Sequence, residues 1–246
     1  MNTTAIRLAF SLLTRIPVRL PDAIEDRSWG AAVAFYPLVG LVIGALLTLA
    51  AFALMALEAP TGVSALLVLV LWVGLTGAFH LDGLADSADA WLGGYGDRDK
   101  TLRILKDPAC GPAGAVALIL VLLGKWVALT ALFESGSVGA LILAPVLARA
   151  AVVWLFLNLP CALEEGLVTR AHENQPRALL QRALVLSALA SVLLGWAGLA
   201  MLLTTVALTL AGARLMRARL GGFSGDLAGA LVEAAETAML LVLALL

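Results

Sequence analysis

The sequence predicts an all-α fold: a polytopic integral membrane helix bundle of about seven transmembrane helices, with an N-terminal interfacial helix. Composition is the first observation. Of 246 residues, 62% are hydrophobic and 13% charged, against roughly 45–50% and about 25% in soluble domains. Second, the apolar residues form continuous runs, which selects helices over a barrel. Third, the basic residues gather in the polar connections between those runs. The net charge of −1 offers no basic surface to nucleic acid. The 23 glycines suit close helix packing in lipid.

The segment Thr3–Ile16 is apolar with Arg7 and Arg15, and reads as a helix at the bilayer interface. Its apolar stretch, Leu8–Leu13, is broken by Ser11 and is short for a secretory signal of roughly 7–15 apolar residues. Residues 1–34 are therefore expected to be a cytosolic or interfacial N-terminal segment. Spans are predicted over Phe35–Leu57, Val63–Leu81, Ala113–Phe133, Val138–Leu157 and Leu227–Leu246. The stretch Ala183–Ala213 would be ~46 Å long as one helix at 1.5 Å per residue, against a core of ~30 Å. It is expected to split into two helices turning near Gly195-Trp196-Ala197-Gly198. With that split, fourteen of the 16 basic residues fall on one side, in groups at 7–27, 98–106, 170–182 and 214–219. The positive-inside rule makes that side the cytosol.

The N-terminus is thus placed in the cytosol of a multi-pass protein of the cytoplasmic (inner) membrane. Segments 82–112, 158–182 and 214–228 are the long cytosolic connections. Cys110 and Cys161 would lie near the reducing side and lack metal-type spacing. No internal repeat divides the chain, so 1–246 reads as a single membrane domain. The sequence leaves homo-oligomer formation open.

The most informative stretch is His80-Leu81-Asp82-Gly83-Leu84-Ala85-Asp86-Ser87-Ala88-Asp89. On a helix, Asp82, Asp86 and Asp89 fall within about 60° of one another at ~100° per residue. Three neighbouring carboxylates repel and raise one another's pKa. A hard cation relieves that repulsion, and carboxylate-held Mg²⁺ commonly binds substrate phosphates. The alternative is a solvated helix end near the positive end of its dipole. His80 reads either as a hydrogen-bonded core histidine or as a base or phosphate donor.

Residues 82–112 form the acidic candidate active-site segment. Lys106 and Asp107 close it, the one a candidate phosphate ligand and the other a further metal ligand, unless both simply cap the next span. Lys125 and Arg149 lie within spans, where charges face the interior and mark function. They are candidate substrate contacts. Asp226 and Glu233, seven residues apart, share a face of the last helix. With Glu236 they require water, protons, cations or basic partners, although Asp226 also suits a helix cap.

In this order the pieces resemble the cobalamin synthase family (adenosylcobinamide-GDP ribazoletransferases). The similarity is carried by Phe10–Val18, by Phe35-Tyr36-Pro37-Leu38-Val39-Gly40-Leu41-Val42-Ile43-Gly44, by the His80–Asp89 motif, and by Gly221-Gly222-Phe223-Ser224-Gly225-Asp226 with Gly229–Glu233. The chain departs from the family at Asp107-Pro108-Ala109-Cys110-Gly111, where an arginine usual in the family is missing. The resemblance implies joining adenosylcobinamide-GDP to α-ribazole or its 5′-phosphate, with release of GMP. It implies Mg²⁺ on Asp82, Asp86 and Asp89, with Lys106, Lys125, Arg149, Asp226 and Glu233 toward substrate. His80 or Asp107 would accept the hydroxyl proton.

Two other functions fit parts of the chain. A CDP-alcohol phosphotransferase also uses an aspartate-rich site at a membrane helix end, but it carries Ala-Arg after Asp-Gly, where this chain has Ala85-Asp86. A transporter could line a path with Lys125, Arg149 and Glu233. However, no inverted repeat is visible and the acids cluster at one face rather than at the midplane.

Overall fold

The computed structural model describes residues 3–246. Helix α1 (Thr3–Leu13) buries Ala5, Leu8 and Ala9, so this amphipathic segment packs onto the bundle. It ends where the Thr14 hydroxyl donates to the Phe10 carbonyl at 2.8 Å. A short α2 (Asp26–Val33) follows, then α3 (Tyr36–Ala56) with Pro37 in its first turn. Helix α4 (Thr61–Thr76) stops at Gly77, and α5 (Phe79–Gly93) leaves at 87° to it. Next come α6 (Arg98–Ile104) and α7 (Pro112–Glu134). A 3₁₀ turn (Val138–Ile142) leads into α8 (Ala144–Asn158). The chain closes with α9 (Leu167–Glu173), α10 (Arg177–Val192), α11 (Gly195–Leu220) and α12 (Gly225–Ala244).

The fold is all-α, as the continuous apolar runs require. Among the described residues the only strand-like pairing is a single bridge between Cys161 and Phe223. Both cysteines are free thiols. Five helices are long and apolar enough to cross a membrane, or six if α4 and α5 count as one bent span. The expected seven spans are therefore not reached by length alone. Helices α4 and α10 have 16 residues each, about 24 Å at 1.5 Å per residue. The expected span Val63–Leu81 breaks because Gly77 and Ala78 both take left-handed conformations, at φ +65° and +60°. The split of the 183–213 stretch is observed: α10 ends at Val192 and α11 begins at Gly195, whose φ is +55°.

Helices α8 and α12 form the centre. Nearly every residue of α8 is buried, and α12 packs on α5, α7, α8 and α11. The connections that carry the basic groups meet at one end. Arg98 donates to the carbonyls of Leu220 and Ala162, both at 3.2 Å. Arg170 pairs with Asp26 at 2.6 Å, and Arg219 donates to the Trp91 carbonyl at 2.6 Å.

Candidate active site

The site begins at the turn between α4 and α5. A Cβ on Gly77 would lie 2.2 Å from the Arg15 side chain, so both space and conformation call for glycine. Ala78 accepts the left-handed region at a cost of roughly 1–2 kcal/mol. The turn buries His80 and leaves Asp82 exposed in the first turn of α5. Helix α12 then comes close. A Cβ on Gly83 would stand 2.8 Å from the Asp226 carbonyl oxygen, so a side chain at 83 would push the two helices apart.

This approach brings Asp226 beside Asp82. Both line a cavity of about 460 Å³, with His80, Arg149, Tyr36 and Phe223 among its other walls. Phe223 is fixed by two backbone bonds, its N–H to the Pro160 carbonyl at 3.0 Å and its carbonyl from the Ala162 N–H at 2.8 Å. Larger hollows of about 880 and 620 Å³ are lined almost wholly by apolar side chains.

On the acidic face the charge effect is read at Asp86. Asp86 is pushed up to about 6, first by desolvation and then by the negative charges of Asp82, Asp226 and Asp89. Such a group favours a cation nearby. Among the described residues, no three His, Cys, Asp or Glu side chains already converge on one metal-holding point. A Mg²⁺ ion held by one or two carboxylates, waters and substrate phosphates needs no such cage, so Asp82 and Asp86, with Asp226 near both, fit it.

Asp89 is engaged differently. Its two oxygens accept the backbone N–H groups of Gly111 at 2.7 Å and Gly114 at 3.0 Å. It ties α5 to the start of α7 and gives partners to N–H groups that a helix start leaves free. Lys106 and Asp107 are exposed and do not line the cavity. Asp107 accepts the Ala109 N–H at 3.0 Å, a local turn.

The intramembrane charges find each other. Lys125 Nζ bonds Glu233 at 2.6 Å and Glu236 at 2.7 Å. The other oxygen of Glu236 accepts from Arg149 Nη1. Lys125 also lies 4.6 Å from the Trp72 ring centroid. Two cations and two carboxylates thus balance across α7, α8 and α12. Losing one member of such a buried set strands its partner, at about 3–5 kcal/mol. Lys125 and Glu233 do not reach the cavity wall; Arg149 does.

Arg149 is 0% exposed, and its Nε has no hydrogen-bond partner. Its Nη2 is 3.4 Å from His80 Nδ1. A guanidinium only donates, so Nδ1 accepts and the neutral ring carries its proton on Nε2.

A family model described as cobalamin-5-phosphate synthase matches residues 5–244. The chain belongs to the cobalamin synthase family. Relatives named adenosylcobinamide-GDP ribazoletransferase include one from Pseudomonas entomophila (strain L48), 49% identical over 97% of this chain and 98% of its own length. Another, from Pseudomonas savastanoi pv. phaseolicola, is 48% identical over the same shares. One from Pseudomonas aeruginosa PAO1 is 48% identical over 98% of both chains. No solved structure matches this chain.

In this cobalamin synthase family member, the structure gathers His80, Asp82, Arg149 and Asp226 at one cavity, with Asp86 alongside. It leaves Lys106, Asp107, Lys125 and Glu233 outside. Sequence reasoning did not single out Glu236 as the partner of Arg149, nor Tyr36 and Phe223 as walls. For Glu236 a signal existed, since two cations inside spans require two carboxylates at membrane depth.

Proposed function

We propose that the chain joins adenosylcobinamide-GDP to α-ribazole or its 5′-phosphate, giving adenosylcobalamin or its 5′-phosphate and GMP. The observation that carries the reading is one cavity lined by two carboxylates, Asp82 and Asp226, and by a fully buried guanidinium, Arg149. Carboxylates that attract a cation beside a donor that attracts an anion suit a diphosphate. The shared name of relatives that cover nearly the whole chain supports the same reading.

In the reaction, the ribazole hydroxyl oxygen bonds to the phosphorus attached to cobinamide. The bond from that phosphorus to the bridging oxygen breaks, and GMP leaves with the oxygen. Asp82 and Asp86 would hold Mg²⁺, which would supply neutralising charge to the diphosphate. Arg149 binds phosphoryl oxygen, and the Nε2–H of His80 donates to it. Asp226, lining the same cavity, takes the hydroxyl proton. The aromatic walls at Tyr36 and Phe223 restrict the water that would compete with the ribazole hydroxyl.

The protein is further proposed to be a multi-pass protein of the cytoplasmic membrane, with its N-terminus and cavity on the cytosolic side. The meeting of the four basic groups at one end supports this orientation. The test is mass spectrometry of purified protein incubated with both substrates and Mg²⁺. The joined corrinoid is the expected product. A sample that melts cooperatively yet leaves both substrates unchanged would overturn the proposal.

A further inference from the structure

We propose that Glu236 is the positioning residue of the cavity, holding the Arg149 guanidinium so that its unpaired edge binds the diphosphate of the nucleotide-bearing substrate. Two independent features support this. The first is Arg149 itself: fully buried, in the cavity wall, with its Nε unpartnered. An unpaired donor on a buried cation is costly unless a ligand completes it, and a guanidinium edge matches two phosphoryl oxygens.

The second feature is the way the guanidinium is held. Glu236 is 0% exposed and does not line the cavity. One of its oxygens takes Arg149 Nη1, and the other takes Lys125 Nζ at 2.7 Å. Both oxygens are occupied, so the carboxylate has no freedom to turn, and Arg149 is fixed by an anchor that never meets substrate. His80 Nδ1, at 3.4 Å from Nη2, occupies a second donor. Each Nη thus has one partner, and Nε is the guanidinium nitrogen left with none.

The identity of the anion rests on the transfer reaction proposed above; the anchoring itself does not. Glu236→Gln keeps the shape and one acceptor oxygen but removes the charge. Arg149→Lys keeps the charge but removes the Nε–H. For each, the KM of both substrates is measured, along with the calorimetric affinity for inorganic pyrophosphate with Mg²⁺ in detergent. The expected result for either variant is a KM for adenosylcobinamide-GDP raised about tenfold or more, with the KM for α-ribazole phosphate within about twofold. Pyrophosphate binding weakens in parallel.

A variant that merely loosened the bundle would move both KM values together, and that result overturns the proposal. Pyrophosphate affinity equal to wild type in whichever variant folds overturns it as well. Wild-type protein that binds pyrophosphate in a Glu236-dependent way but transfers nothing would sink the reaction and leave the anchor standing.

Discussion

Asp89 holds Gly111 by a 2.7 Å hydrogen bond from its backbone N–H, and reaches Gly114 with its other oxygen. A residue on the acidic stripe thereby closes the acidic segment onto α7. Bonds to a charged acceptor contribute about 1.5–3 kcal/mol each. Asp89→Ala is expected to lower the thermal midpoint in detergent, whereas Asp82→Ala, at an exposed position, keeps the midpoint and loses activity. Thermal melts of the two variants side by side check this; equal midpoints would place Asp89 with Asp82 instead.

The raised carboxyl of Asp86 gives a pH dependence. With a value of about 6, the group binds a proton as pH falls through that range, and the proton competes with a cation. Apparent affinity for Mg²⁺ is expected to weaken between pH 7 and pH 5. Asp86→Asn, weaker at all pH values, should show a flatter profile. Titration of activity against Mg²⁺ at each pH reads this; identical slopes for the two proteins would contradict it.

The crossing of α5 and α12 makes a third prediction. A Cβ on Gly83 would come 2.8 Å from the Asp226 carbonyl oxygen, which is backbone and cannot move aside alone. Gly83→Ala is expected to destabilise the bundle by about 1–3 kcal/mol and to cut turnover by separating Asp82 from Asp226. A thermal melt paired with a rate measurement checks it, and wild-type values for both would show that the helices are not in contact there.

Orientation is open to a direct probe. Cys110 is exposed and Cys161 half-buried, and both are free thiols. In a Cys161→Ser protein, a membrane-impermeant maleimide is expected to label Cys110 in inverted vesicles and not in right-side-out cells. The reverse pattern would turn the molecule over.

The fold was legible where physics is local. Long apolar runs named α3, α7, α8 and α12 because a continuous apolar run satisfies its own backbone in lipid only as a helix, a barrel strand being alternating. The basic groups at 170–182 and 214–219 placed a turn near Gly195. The bend at Gly77-Ala78 was hidden, because a glycine inside an apolar run reads as a packing residue and α5 begins with Phe79. At the site, the Asp82–Asp86–Asp89 stripe was visible as helical spacing. The arrival of Asp226 and the pairing of Glu236 with Arg149 were not, since both depend on how α12 crosses α5 and α8, a tertiary fact that no spacing within one segment carries.

The most direct test of the central claim is acceptor-dependent GMP release from adenosylcobinamide-GDP with Mg²⁺, measured for wild-type protein, Asp82→Ala and an EDTA-treated sample. The account predicts release that requires α-ribazole or its phosphate and is lost in both controls. Release that persists in Asp82→Ala, or CMP released from a CDP-alcohol with a lipid acceptor in place of GMP, would contradict it.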